Sequence, residues 1–341
     1  MQGPRRASKA ARRQALGAGP WGRYPPGMTR PTRIGAAVIA LAARDDAPVR
    51  RALAAARPDL ALLSAGDPVP HPDATALVAF APPDAPGRYA GVPWVHCAGA
   101  GADKLLEGLG FRPPLMTRTV GAMGAQAGEY VASYLLADLQ GHPRRQARQA
   151  EARWDKEGCL PSHAFGQRAL VLGTGGIGGG VARTLAGLGV AVDGASRSGA
   201  PAAPFAETFA ADALPEDLSG YGLLVSALPG TPATRGLVGG ALLSRLSRAL
   251  LVSVGRGAAV DHEAVLAAIG GGRLRGAVLD VFEDEPLPPA SPLWRARGVT
   301  VTPHVSGVTR PEDIADAFLG ALRALERGEA PPLIVDQDRG Y

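Results

Sequence analysis

Long apolar runs are missing from this chain. None of its 341 residues belongs to a stretch near the ~20 consecutive apolar residues of a membrane span, so no membrane partner is expected. Cysteine is scarce: Cys97 and Cys159 are the only two. They form no disulfide framework and lack metal-ligand spacing, which suits a reducing compartment, so a cytoplasmic location is expected and no metal. Lysine is nearly absent, with Lys9, Lys104 and Lys156 alone, so positive charge rests on arginine. Acid is absent from residues 1–27, which hold Arg5, Arg6, Lys9, Arg12, Arg13 and Arg23. The net charge of +5 therefore becomes −1 over residues 28–341. A nearly neutral body gives no support to a basic folded face for nucleic acid, so no nucleic-acid partner is expected.

Residues 1–27 read as a disordered, solvated basic tail. Polyanion binding, a transit segment and a true start at Met28 are the other readings. With Ser8 as its one Ser or Thr, the tail argues poorly for a transit peptide. Residues 28–47, "MTRPTRIGAAVIALAARDDA", mimic a secretory signal. The preferred reading is a buried strand, Ile34 to Leu41, followed by a helix from the Asp45–Asp46 cap region. Glycine (46) and proline (31) are abundant without a period, which excludes collagen-like order. With 46% hydrophobic and 20% charged residues, the composition is globular.

From Arg33 to about Pro114, short apolar runs alternate with helical patterns. "LALLSA" (60–65), "TALVAFAP" (75–82) and "VPWVHCAGAG" (92–101) read as strands, with a short helix from Asp103. Such alternation indicates a parallel sheet with crossovers. "GEYVASYLLADLQG" (128–141) reads as a long helix between two lobes. Residues 142–158 form a polar surface connection. Further strands are expected at 168–172, 190–196, 222–228, 249–255, 276–282 and 298–304. Helices are expected at 239–246, 261–272 and 312–329. The end, Pro331 to Tyr341, reads as extended.

The string "ALVLGTGGIGGGVARTLAGLG" places Gly173-x-Gly175-x-x-Gly178 between a strand and a helix. The first glycine allows the tight turn, the second a close backbone approach to a pyrophosphate, and the third close helix–strand packing. Free N–H groups of Gly176, Ile177 and Gly178 then face the phosphates. Asp193 stands 20 positions after Gly173, where an acid would hold the ribose of NAD(H). The strand runs past Asp193, however, and ends at Ser196-Arg197-Ser198. A guanidinium with two hydroxyls suits a 2′-phosphate, so NADP(H) is preferred, with NAD(H) as the alternative.

Arg256, Glu285 and His304 follow three successive strands of this segment. Open α/β sheets bind ligands at such strand ends. His304 beside an apolar strand is by itself more often structural. Together the three supply a fixed cation, a titratable donor and a carboxylate that tunes it.

The chain resembles the D-2-hydroxyacid dehydrogenase family over residues ~30–335. The resemblance rests on GTGGIG with its strand and helix, "LPGTPATRGLVG", "VSVGRGAAVDHEAV", "LDVFEDEPLP" and "TPHVSG". The steps of 29 residues from Arg256 to Glu285 and 19 from Glu285 to His304 fit it too. "GAGAD" (99–103), the 128–141 helix and "SRS" are most similar to its glyoxylate/hydroxypyruvate reductase branch, whose members generally prefer NADPH. The resemblance implies an α/β fold with a Rossmann-type nucleotide-binding domain (116–307) inserted into a flavodoxin-like substrate domain (28–115 and 308–341). It implies a small 2-oxoacid substrate, a homodimer and no appended regulatory domain. Arg256 would grip the substrate carboxylate and polarise its ketone. His304 would donate the proton, and Glu285 would favour the charged form of His304. Backbone N–H groups of Ala100 and Gly101 would bind the carboxylate. Asp280 would orient the nicotinamide amide, Leu228, Pro229 and Val254 would line the cofactor cleft, and Ser306 and Gly307 the nicotinamide side. Ala102, Gly255 and the run after His304 depart from commoner residues of the family, and Ala102 raises the question of pocket size. Two other readings share the fold: a dinucleotide-sensing module of the C-terminal-binding-protein corepressor type, and a formate dehydrogenase-like enzyme, against which stands the acid at Glu285.

Overall fold

The computed structural model describes residues 36–41, 46–64 and 74–340. The basic tail, the start of the expected first strand at Ile34 and the expected cap residue Asp45 lie outside them. Two all-parallel sheets carry the fold.

The first sheet holds β1 (Ala36–Ala40), β2 (Ala61–Ser64), β3 (Ala76–Ala79), β4 (Trp94–Cys97) and β5 (Leu115–Arg118). Its order, β2-β1-β3-β4-β5, is the flavodoxin-like one. β1, β3 and β4 are buried along their whole length, which explains their continuous apolar sequences. Helix α1 (Ala47–Ala56) starts with Pro48 in its first turn; Asp46 accepts from Arg50 Nε at 2.7 Å instead of capping the helix. Helix α2 (Asp103–Leu109) stops at Gly110, whose φ of 70° a side chain would disfavour.

Next come α3 (Met123–Leu139) and α4 (His142–Ala150), the latter with no buried residue. α3 begins five residues before the expected start at Gly128. Gly121, Gly124 and Gly128 hide this from sequence, because glycine is a poor helix former and tertiary packing imposes the helix.

The second sheet contains β6 (Arg168–Leu172), β7 (Ala191–Ser196), β8 (Thr208–Ala210), β9 (Leu223–Ser226), β10 (Ala249–Ser253), β11 (Leu274–Leu279) and β12 (Val299–Val301). Its order is β12-β11-β10-β9-β6-β7-β8. The winding direction reverses between β6 and β9, which opens a crevice beyond their carboxyl ends. Helices α5 (Gly176–Gly187), α6 (Gly240–Leu243) and α7 (His262–Gly270) connect the strands. α7 is capped by Asp261, which accepts from Ala264 N at 3.0 Å. α3 lies against α5 at backbone contact: a Cβ on Gly180 would stand 2.2 Å from Gly124 O.

Helix α8 (Pro311–Glu326) returns to the first sheet. Its Ile314, Phe318 and Leu322 pack with Ala37, Ile39 and Trp94, and Phe318 stacks on Trp94 at 4.5 Å between centroids. The two chain crossings between the sheets are tied together. Gln126 exchanges two hydrogen bonds with the backbone of Val308, at 3.0 and 2.7 Å. The buried Asp313 packs over Gly121, where a Cβ would lie 2.4 Å from its Cγ.

The structure differs from the sequence expectations in four places. β5, which pairs with β4 in the first sheet, runs from Leu115 to Arg118, three residues past the expected boundary at 115. β5 and β8 were not foreseen, being four- and three-residue edge strands without a readable period. The chain end is not uniformly extended: Ile334 bridges Thr117, and a turn follows at Asp336, whose carbonyl accepts from Gly340 N at 2.8 Å. α6 is also a single turn, shorter than the expected 239–246.

His96 lies fully buried in β4, with ring nitrogens 2.7 Å from Thr117 Oγ1 and 3.0 Å from Thr119 Oγ1. Burial lowers its pKa to about 3. As pH falls below 6.5, the unfolded chain takes up a proton that the folded chain refuses until about pH 3, so stability declines through that window. Urea unfolding is expected to show this group contributing a loss of about 2 kcal/mol between pH 7 and pH 5. His96→Gln should lose less over the same interval; equal acid slopes would contradict a neutral buried imidazole.

Candidate active site

The crevice at the β6 and β9 ends is shaped by missing side chains. Gly173 has φ 100°, and a Cβ there would meet Ala227 O at 2.6 Å. A Cβ on Gly178 would lie 1.8 Å from Gly173 O. Gly175, by contrast, has nothing within 4 Å on its Cβ side, so its backbone faces open space just before α5. The first turn, Gly176, Ile177 and Gly178, presents N–H groups and the positive end of the helix dipole to that space. This cradle fits a dinucleotide pyrophosphate. Leu228 and Val254 are buried at the neighbouring strand ends, with Pro229 half-buried. Gly255 is required here: a Cβ would stand 2.4 Å from Leu228 O.

Asp193 lies in the middle of β7 and is 3% exposed. Its carboxylate accepts from Arg168 Nη2 and Tyr221 OH, each at 2.8 Å, and from Glu207 N at 3.2 Å. It is therefore occupied within the fold, away from the strand end. Ser196 closes β7, its hydroxyl accepting from Gly199 N at 3.2 Å. Arg197 and Ser198 are exposed, and Arg197 has no ion-pair partner among the described residues.

His304 follows β12 with φ 56°, a left-handed conformation uncommon for a side-chain-bearing residue. Asp280, after β11, enforces it. This fully buried carboxylate accepts from Thr302 Oγ1 at 2.5 Å, Val305 N at 2.9 Å and Ser306 N at 2.8 Å, and its carbonyl accepts from His304 N at 2.9 Å. The expected contact of Asp280 with a nicotinamide amide thus competes with a carboxylate already engaged in holding the loop. Tyr130, from α3, donates to Thr302 Oγ1 at 2.6 Å, and burial pushes its phenol well above the usual range. Ser306 is buried, and Gly307 sits against Met123.

The His304 ring reaches Glu285 through Nδ1 to Oε2 at 3.0 Å. Glu285 Oε1 accepts from Phe282 N at 2.9 Å. Burial works to raise the Glu285 carboxyl pKa, but the Phe282 N–H, His304 and Lys104 outweigh it and hold it below the ordinary value. The other ring nitrogen of His304 is left for the cleft, where the side chain is 44% exposed.

Arg256 follows β10 and does not touch His304. Its Nε and Nη2 donate to Asp103 of α2 at 3.0 and 3.1 Å. The guanidinium lies over the Ala100–Gly101 loop, so that a Cβ on Gly101 would fall 1.2 Å from Nη2. Arg118 supports this loop from beneath, donating to Ala100 O at 2.9 Å. Burial raises the Asp103 carboxyl pKa, but Arg256 more than offsets this and the net shift is downward. The next residue, Lys104, stands 3.8 Å from Glu285 Oε2. Adjacent residues of α2 therefore reach Arg256 and Glu285. A cavity of about 470 Å³ continues outward from Asp103 and Gly230 toward Arg112 and Arg339. Ala102 is fully buried among Leu105, Val38 and Met116, so its small size affects the first lobe's core and not the width of the cleft.

Sequence reasoning missed Asp103, Lys104, Arg118, Gln126, Tyr130 and Thr302 as parts of the site. Asp103 ends the quoted "GAGAD" and Thr302 opens "TPH", yet nothing local shows whom they bind. No group of three or more His, Cys, Asp or Glu side chains that could hold a metal occurs among the described residues, and no described helix is long and apolar enough to cross a membrane.

Residues 132–306 match the D-isomer specific 2-hydroxyacid dehydrogenase, NAD binding domain. The chain belongs to the D-isomer specific 2-hydroxyacid dehydrogenase family. A glyoxylate/hydroxypyruvate reductase A of Klebsiella pneumoniae (strain 342) is 35% identical over 257 residues, 72% of this chain and 81% of that protein. An uncharacterized protein of Streptomyces coelicolor is 41% identical over 274 residues, 79% of this chain and 97% of its own length. Among solved structures, a D-isomer specific 2-hydroxyacid dehydrogenase from Xanthobacter autotrophicus Py2 in complex with NADPH and MES superimposes with a TM-score of 0.82 at 33% identity, covering 91% of this chain and 100% of that one. The NADPH-dependent glyoxylate/hydroxypyruvate reductase of Sinorhizobium meliloti, in complex with NADP and sulfate, gives 0.77 at 29% identity, covering 90% and 100%. This dehydrogenase-family chain is thus an oxidoreductase with a Rossmann-type NAD(P)-binding domain.

Thr302→Val in this dehydrogenase removes the hydroxyl between Tyr130 and Asp280 while keeping its volume. Chemical unfolding is expected to show a loss of about 1–3 kcal/mol, the cost of stranding buried polar partners. Unchanged stability would contradict the role given to this bridge.

Proposed function

We propose that this enzyme reduces a small 2-oxoacid of the glyoxylate/hydroxypyruvate type to the D-2-hydroxyacid, preferring NADPH. The observation that supports the reading is the His304–Glu285 pair, brought near the Arg256 guanidinium over the Ala100–Gly101 loop by the adjacent residues Asp103 and Lys104. The bound dihydronicotinamide supplies the hydride. Arg256 and the N–H groups of Ala100 and Gly101 grip the substrate carboxylate, and Arg256 also polarises the ketone oxygen. His304 delivers a proton from Nε2 to that oxygen, with Glu285 on Nδ1 holding the ring in register. Gly173, Gly175, Gly176, Ile177 and Gly178 receive the pyrophosphate. Leu228, Pro229 and Val254 line the cleft, Gly307 borders the nicotinamide, and Asp280 serves that end by fixing the loop. The same reading takes residues 28–118 with 308–341 as the substrate lobe and the intervening chain as the nucleotide lobe. It includes a cytoplasmic homodimer formed through α3 and its neighbours.

The NADPH preference is supported by Arg197, free at the end of β7, and by Asp193, engaged inside the fold. Initial rates with glyoxylate and hydroxypyruvate, followed at the reduced-nicotinamide absorbance, are expected to favour NADPH over NADH. Arg197→Gln should raise KM for NADPH about tenfold with little change for NADH, the loss expected for one charge-assisted contact. A wild-type preference for NADH would overturn the assignment.

For His304→Ala, kcat is expected to fall by about 10²–10⁴, the range for a general acid, with the Kd for NADPH retained. An active His304→Ala enzyme would remove the proton-donor role.

A further inference from the structure

Arg256 must present its guanidinium to a substrate at one angle, and the side chain has four rotatable bonds with which to miss it. The structure contains a device that removes this freedom. Asp103 takes Nε through Oδ2 at 3.0 Å and Nη2 through Oδ1 at 3.1 Å, a bidentate grip on one edge of the planar fork. Nη1 is left with only a 3.4 Å contact to the Gly255 carbonyl. The pair is sheltered, at 27% and 17% side-chain exposure, so solvent screens it incompletely. Space is tailored around it: a Cβ on Gly101 would strike Nη2 at 1.2 Å, and one on Gly230 would crowd Asp103 Oδ2 at 3.2 Å and Arg256 Cγ at 3.3 Å. The partners lie 153 residues apart, Asp103 on α2 beside the first sheet and Arg256 at the end of β10 in the second.

We propose that Asp103 is a positioning residue that orients Arg256 across the cleft, so that Nη1 is directed at the substrate carboxylate and keto oxygen when the two lobes are together. The inference rests on the 2-oxoacid reductase reading and adds to it the residue that sets the arginine. Asp103 touches neither substrate nor cofactor in this account. Its carboxylate also offsets the arginine charge, so the corner attracts an anion through directed N–H groups more than through bulk positive charge. Gly101 and Gly230 belong to the same device, since a side chain at either would displace the fork.

The test uses the full chain with NADPH and glyoxylate for kinetics, and oxalate, a planar mimic of the bound 2-oxoacid, as a binding probe on the NADP⁺ complex. Asp103→Ala is expected to raise KM for glyoxylate and the oxalate Kd about tenfold or more, since small misplacements of a clamping group have effects of this size. The Kd for NADPH, read by fluorescence, should not move, which also shows that the variant is folded. Asp103→Asn keeps one acceptor for the fork and should fall between wild type and Asp103→Ala. In an Arg256→Ala background, removing Asp103 should change the oxalate Kd less than twofold, because its effect passes through the arginine. An unchanged KM in Asp103→Ala, or an equal further loss in the Arg256→Ala background, overturns the proposal while wild-type turnover leaves the reductase reading standing. Absence of turnover by the wild type with any 2-oxoacid overturns that reading and the proposal with it.

Discussion

The buried carboxylate of Asp280 is the constraint on which the site depends. A fully enclosed carboxylate is costly unless its oxygens are hydrogen-bonded. Here the donors come from the segment it organises: Thr302, Val305 and Ser306 bond to its side chain, and His304 N to its carbonyl. Satisfying this one residue folds residues 302–306 into a tight loop around it. The left-handed backbone of His304 is a consequence of that loop, and the imidazole is thereby turned toward Glu285. Tyr130 extends the network into α3, so the His304 loop is braced by the helix that packs on the Gly-rich turn.

A second set of contacts runs between the lobes. Asp103 and Lys104 are adjacent in α2, and they reach Arg256 and Glu285 respectively. Gln126 and Asp313 fasten the two chain crossings. Both lobes thus contribute side chains around Arg256 and the His304–Glu285 pair. Glycine recurs wherever backbone or guanidinium must come close, at Gly101, Gly173, Gly178, Gly180 and Gly255.

Much of this was legible in the sequence because it is locally encoded. Buried parallel strands are continuous apolar runs, the nucleotide turn is a glycine pattern with its strand and helix, and Arg256, Glu285 and His304 stand at strand ends with readable spacing. What could not be read depends on partners far along the chain. Asp103 and Arg256 meet only after two lobes assemble, and Thr302 gains its role from Asp280 and Tyr130 on other elements. β5 and β8 carry too few residues for a period to show, and the early start of α3 is set by contact with α5 against the preference of its own glycines. The small Ala102 raised the question of pocket size, and its side chain faces the core.

In the proposed reaction Arg256 and His304 close on one small 2-oxoacid beside a cofactor whose ribose phosphate lies on Arg197. A crystal structure of the chain with NADP⁺ and oxalate tests this most directly. Oxalate is expected within hydrogen-bond distance of Arg256 Nη1, His304 Nε2 and the Ala100–Gly101 backbone, with the 2′-phosphate on Ser196, Arg197 and Ser198. Oxalate bound away from His304, or a ribose held by Asp193, would contradict it.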